Sequence, residues 1–279
     1  MMRRSAAVSA ALAVAVATGC QVPVLQDTDP PAPAPAPSAQ TADGPLGIPG
    51  TWQLDWSDDF DGTTVDTSKW NIEEHAPNGA LNCYDPEHVT ESDGFLHLRL
   101  ELGTAACAGG AVVRDYASGS VSARRAFTGG AFEARINVPL TGSQVANWPA
   151  WWTVAWPAEG EIDWWEGGGS AGSCWSVHPE PADPAGCAVA TPGWHTFGGV
   201  WTSGTGVDVY YDGSKVATLP FTMTSAEYPV LDNATAAWAP VMAPTDLQVD
   251  YVRHWSPCAP ASPGAGDSCP GAASSRARP

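Results

Sequence analysis

Three acids within six positions, Glu161, Asp163 and Glu166, stand in a tryptophan-rich run that starts Trp148-Pro149-Ala150-Trp151-Trp152 and ends Glu161-Ile162-Asp163-Trp164-Trp165-Glu166-Gly167. Two carboxyl groups flanking a glycosidic bond can divide the work of breaking it: one attacks the anomeric carbon and the other protonates the departing oxygen. On a plain extended strand Glu161 and Asp163 share a face, whereas Glu166, five residues further on, faces the other way. A one-residue bulge at Trp164–Trp165 returns Glu166 to its companions, and bulges gather beside active sites because they re-aim side chains. Along a flat strand the outer pair would stand roughly 13 Å apart at Cα, at about 3.3 Å per step. Concave curvature and inward-leaning side chains must bring the carboxyls to roughly 5–5.5 Å for a mechanism that retains configuration. Asp163, between them, is placed to hydrogen-bond a glutamate and, as a third negative charge, to keep one member of the set protonated near neutral pH. The same acids could instead hold calcium or form a solvated edge, but the flanking tryptophans point to a half-enclosed cleft.

The elements that must position these acids read as strands. In Phe95–Leu102, Leu96, Leu98, Leu100 and Leu102 alternate with His97, Arg99 and Glu101; in Phe132–Val138, Phe132, Ala134, Ile136 and Val138 alternate with Glu133, Arg135 and Asn137. Val207, Val209 and Tyr211, and later Leu247, Val249 and Tyr251, repeat the period of two, with Val252 on the polar side. Asp93-Gly94 and Asp212-Gly213 supply hairpin turns. No window longer than the first twenty residues holds a helical period. The expected fold is all-β, an antiparallel β-sandwich jelly roll of the concanavalin A-like kind with a concave substrate cleft.

The acid run resembles the bulged signature of glycoside hydrolase family 16, which includes endo-β-1,3-glucanases (laminarinases), β-1,3(4)-glucanases, agarases and carrageenases. Other stretches are similar to family landmarks: Trp56-Ser57-Asp58-Asp59-Phe60-Asp61-Gly62, Gly130-Ala131-Phe132-Glu133-Ala134-Arg135, Trp148-Pro149-Ala150-Trp151-Trp152, Trp194-His195-Thr196-Phe197 and Asp250-Tyr251-Val252-Arg253. The resemblance implies Glu161 as nucleophile, Glu166 as general acid/base and Asp163 as their assisting carboxylate. It implies substrate contacts at Asn82, Arg135, Trp148, Trp152, Trp156, Trp175 and His178. The family's N-E-L-Q-Y run is here Asn82-Cys83-Tyr84, and the Trp152-to-Trp156 interval is short, so the rim and distal subsites differ. No cofactor is required for catalysis. A structural calcium held by Asp250, with the Gly94 carbonyl and Asp59 nearby, is a further implication.

Composition narrows the alternatives. A net charge of −18 over 279 residues repels nucleic acid and anionic membranes, and 29 glycines with 26 prolines suit short strands and turns. Fourteen tryptophans exceed the six tyrosines and six phenylalanines together, enough to fill a core and still line a stacking surface. Met1–Arg4 is basic, Ala6–Gly19 is small and apolar, and Ala17-Thr18-Gly19-Cys20 resembles a lipobox. Residues 1–20 therefore read as a signal peptide, either with Cys20 as its lipidation site or cleaved for free release, and any membrane contact runs through that anchor alone. The expected location is extracellular or at the cell surface.

The six remaining cysteines suit an oxidising compartment, and pairing neighbours gives Cys83–Cys107, Cys174–Cys187 and Cys258–Cys269, one of fifteen connectivities. A Pro/Ala-rich linker spans 21–47, the catalytic domain 48–256 and a Pro/Gly/Ala-rich tail 257–279. Gly168-Gly169-Ser170-Ala171-Gly172 satisfies G-x-S-x-G by letter, but a strand-like segment follows it rather than a helix, so it reads as a loop. The expected protein is a monomeric endo-glycoside hydrolase acting on a β-linked polysaccharide, β-1,3-glucan first. A transglycosylase, or a hydrolase of β-1,3-1,4-glucan, galactan or agar-type chains, differs little in sequence. The rival of another class is a carbohydrate-binding lectin, which would not need all three acids.

Overall fold

Leu96, Leu98 and Leu100 on the strand Phe95–Ala106, and Phe132, Ala134, Ile136 and Val138 on the strand Gly130–Val138, are all buried, so the period of two marks a sheet with one inner face. The computed structural model describes residues 44–108, 110, 112–178, 186–258 and 269. The leader with Cys20, the Pro/Ala-rich stretch up to residue 43 and most of the tail lie outside the described residues. Among those described, ten strands form one sheet and seven a second, and a common apolar core draws side chains from both. Pairing is antiparallel except between Asn82–Tyr84 and Val113–Ser118. This is the β-sandwich jelly roll. The seven-stranded sheet runs in the order Gly186–Ala188, Ser173–His178, Glu161–Gly167, Trp148–Val154, Tyr228–Ala234, Ser120–Ala123, Trp70–Ile72.

Both hairpin turns form as their sequences require. Asp93 and Gly94 take φ of 54° and 81°, Asp212 and Gly213 take 47° and 73°, and each pair closes a two-residue loop. Trp70, Trp151, Trp164, Trp165, Trp175, Trp201 and Trp255 are buried, half of the fourteen. All three local disulfides are present: Cys83–Cys107, Cys174–Cys187 and Cys258–Cys269.

Two face assignments need correction. Leu102 is 70% exposed, because its strand runs past the core edge toward the Cys83–Cys107 bridge and slips register between Leu102 and Ala105. A second slip, between Val249 and Tyr251, reverses the faces of the last strand, Thr245–Pro257. Val252 consequently enters the core, while the Tyr251 hydroxyl donates to Glu133 at 2.9 Å on the other side of the sheet.

The first and last strands are clamped through Asp55, which accepts hydrogen bonds from His254 Nδ1 and Ser256 Oγ at 2.7 Å each, with Arg125 at 3.4 Å. Burial opposes ionisation of Asp55, but those hydrogen bonds and the charges of His254 and Arg125 prevail and hold the carboxyl below its ordinary range. A depressed carboxyl adds stability above its unfolded pKa and loses it as pH falls through the folded one. Asp55→Asn is therefore expected to cost about 2 kcal/mol in urea unfolding at neutral pH. The difference should narrow once the pH drops below about 4. Equal stabilities at pH 7 would show that the clamp contributes nothing.

Candidate active site

Glu161, Asp163 and Glu166 lie on the strand Glu161–Gly167, and the bulge is there. Asp163 faces Ser176 on one neighbouring strand and Trp152 on the other, while Glu166 faces Cys174 and Ala150. Three steps on the acid strand thus match two on each neighbour. The physical cause is the adjacent pair Trp164 and Trp165. A regular strand would turn one indole outward, whereas here both are fully buried, Trp164 stacked on Phe132 at 5.1 Å and Trp165 on Phe197 at 4.9 Å. Burying both displaces the register by one residue and brings Glu166 onto the outer face with the other acids.

That face forms the wall of a cleft of about 870 Å³ lined by Glu161, Asp163, Glu166, Trp148, Trp152 and Trp156. Ser176 Oγ donates to Asp163 Oδ2 at 2.5 Å, and His178 Nε2 lies 3.3 Å from Asp163 and 3.9 Å from Glu161. Trp148 Nε1 donates to Glu166 Oε1 at 2.5 Å. Burial, reinforced by the charge of Asp163, pushes Glu161 up to about 7 against the opposing pull of His178. Burial and Asp163 likewise raise Glu166, although the Trp148 hydrogen bond resists. His178 is lifted to about 9, first by its hydrogen bond to Asp163 and then, against burial, by the three acids' charges. The cluster so built couples two glutamates that hold protons more tightly than usual to an imidazole that does the same, and the titration belongs to the set rather than to one member.

Trp156 is 79% exposed at the rim. Three expected contacts lie elsewhere. Asn82 is fully buried, its amide donating to Ser118 Oγ at 2.7 Å and accepting from Thr235 N at 2.9 Å, so both ends are engaged inside the protein. Arg135 belongs to the ten-stranded sheet, where the polar side of the alternation faces away from the cleft; it binds Asp250 at 2.7 Å and lies over Trp194 at 4.8 Å. Trp175 is buried in the core, because Cys174, Ser176 and His178 take the other face of its strand. Of the residues expected to hold calcium, Asp250 pairs with Arg135 at 2.7 Å, Asp59 pairs with Arg253 at 2.8 Å, and Gly94 sits in the Asp93-Gly94 turn. Among the described residues, the His/Cys/Asp/Glu cluster with converging ligand atoms is Glu161, Asp163 and His178. Gly169–Ala171 forms a short 3₁₀ turn, in keeping with the loop reading of the G-x-S-x-G letters.

Two further buried carboxyls escaped the sequence reading. Asp232, on Tyr228–Ala234, accepts from Trp152 Nε1 at 2.9 Å and is pushed up to about 7, chiefly by burial. Glu227 accepts from Thr153 Oγ1, on the strand Trp148–Val154, at 2.5 Å and is raised to about 8 by burial, with the charges of Glu161 and Asp163 adding to it. The available signal was an aspartate amid the apolar Val230-Leu231 and Ala234 of a strand-like run.

Comparison with known proteins agrees with this architecture. No protein-family profile matches the chain. A glucan endo-1,3-beta-glucosidase from Cryptopygus antarcticus is 29% identical over 138 residues, covering 41% of this chain and 45% of that protein. The chain thus spans less than half the length of this curated relative. Among solved structures, a non-specific endo-β-1,3(4)-glucanase from family GH16 superposes with a TM-score of 0.65 at 23% identity, over 76% of this chain and 98% of that one. A structure from work on endo-acting O-glycanases of the human gut microbiota that initiate mucin breakdown also gives 0.65 at 23% identity, over 77% and 94%. At these identities the structural likeness is one of fold.

Proposed function

We propose that the chain is a retaining endo-glycoside hydrolase acting on a neutral β-linked polysaccharide, with β-1,3-glucan as its substrate. The observation that carries this reading is the bulge that turns Glu166 onto the face already occupied by Glu161 and Asp163, inside a tryptophan-lined cleft. In the proposed reaction Glu161 attacks the anomeric carbon while Glu166 gives its proton to the leaving oxygen, and the glycosidic bond breaks as the glycosyl–Glu161 ester forms. Glu166, now a carboxylate, takes a proton from water, whose oxygen displaces Glu161 and releases the sugar with its configuration retained. Asp163, held by Ser176 and His178, disfavours a second negative charge beside it, so the two glutamates keep a proton between them, and the reactive form carries it on Glu166 while the neighbouring His178 favours the ionised Glu161. Trp152, fixed through its indole N–H by Asp232, offers a stacking face.

The choice of β-1,3-glucan is supported by the activities named for the Cryptopygus relative and the family GH16 neighbour. A neutral chain is favoured because the described cleft lining holds five carboxyl residues, Glu73, Glu161, Asp163, Glu166 and Asp232, and no lysine or arginine. Export through residues 1–20, with Cys20 as lipid anchor, completes the proposal and rests on the sequence together with the disulfides. The test is incubation with laminarin, lichenan, agarose, β-galactan and mucin O-glycans, scoring new reducing ends and the anomer first released. Laminarin should be cleaved to β-configured products. Binding without cleavage of any chain would instead identify a lectin.

A further inference from the structure

Cross-strand partners run in one unbroken row from the acids to the far edge of the seven-stranded sheet: Asp163, Trp152, Val230, Ser122, Asn71. Cross-strand partners share a face, so this row forms a floor. Four strand spacings of about 4.8 Å carry it roughly 19 Å from the acid strand, further than one sugar ring can reach. At its end stands a polar network that the proposed chemistry does not use. Asn71 Nδ2 donates to Ser122 Oγ at 3.3 Å, Ser122 Oγ donates to Glu73 Oε1 at 2.5 Å, and His75 Nδ1 lies 3.4 Å from Glu73 Oε2. All four residues line the cleft.

Glu73 keeps acceptor capacity after these contacts, since an ionised carboxylate offers about four lone-pair sites. The hydrogen bond to His75, against burial and with help from Ser122, holds Glu73 below the usual carboxylate range. A planar carboxylate beside a planar amide matches the vicinal hydroxyls of a pyranose, and its charge disfavours sulfated or uronic chains.

We infer that Asn71, Glu73, His75 and Ser122 form a distal subsite for an unsubstituted sugar ring of a neutral β-glucan, several rings from the bond cleaved. This rests on the hydrolase reading above. The ratio of kcat/KM for laminarihexaose to that for laminaritriose isolates the distal ring, because the trimer is too short to occupy both ends of the row. Glu73→Ala should lower that ratio about tenfold, the loss expected for a charged hydrogen bond. Asn71→Ala should lower it in the same direction, and serves if Glu73→Ala does not fold. An unaltered ratio in a folded variant overturns the subsite.

Calorimetric titration of laminarihexaose on a Glu161→Gln background separates the two proposals. Adding Glu73→Ala should weaken binding about tenfold even where nothing is cleaved. Retained binding by a chain that cleaves no glucan overturns the hydrolase reading alone, whereas equal affinities with and without Glu73 overturn the subsite alone. A chain that binds no glucan overturns both.

Discussion

Glu161→Gly is expected to lower kcat on laminarin by on the order of 10⁴-fold, because no covalent intermediate can form without the carboxylate. The same variant should regain turnover on an activated aryl β-glucoside when azide is added. Azide fits the vacated volume and attacks from the side Glu161 occupied, so the product is an α-glycosyl azide rather than a β-sugar. The partial exposure of Glu161, in contrast to the fully buried Ile162 before Asp163, lets the anion reach that position and leaves the core packing untouched. Thermal unfolding should accordingly remain close to that of the unaltered chain. Persistent hydrolysis by the glycine variant, or a folded variant that azide does not rescue, would remove Glu161 from the role of nucleophile.

Glu166→Ala should cost roughly 10²–10⁴ in kcat on laminarin, the usual contribution of a positioned proton donor. The loss should be much smaller for a dinitrophenyl glycoside, whose leaving group departs without protonation. The pH profile gives a second readout. Burial and the neighbouring Asp163 raise the Glu166 pKa, so its proton is present below that raised value and lost as pH climbs through it. Removing Glu166 takes its share out of the coupled titration, so the alkaline limb of kcat/KM should move or vanish in the alanine variant. Loss of the Trp148 hydrogen bond, 2.5 Å in the intact site, frees that indole but does not distinguish between leaving groups. An equal fall for both substrates would assign Glu166 a role other than acid catalysis.

The contrast between Trp164-Trp165 and Arg135 shows what local pattern can and cannot convey. The bulge is legible because its cause is local: two neighbouring indoles that both require burial cannot be accommodated by strict alternation, and the spacing of the acids registers the displacement. For Arg135 alternation gives the side of the strand but not the sheet, and the strand belongs to the ten-stranded layer, whose polar face is turned away from the cleft. The ion pair of Asp250 is hidden for a related reason, since Arg135 approaches it from a strand 115 positions away in sequence. Trp175 belongs to the opposite case, where the sheet is the expected one but the bulky side chain takes the inner face.

By itself the sequence determined the all-β character, the two Asp-Gly hairpins and the grouping of Glu161, Asp163 and Glu166, because each depends on residues close along the chain, whereas the structure selected the local disulfides from fifteen connectivities. Only the tertiary structure decided which polar faces meet the cleft, the pairing of Asp232 with Trp152, the burial of Glu227 against Thr153 and the row that ends at Asn71, beside Glu73. These depend on which strands become neighbours. The free energy that selects them is burial of apolar surface between two sheets, a non-directional quantity summed over the whole core that no single stretch of residues encodes.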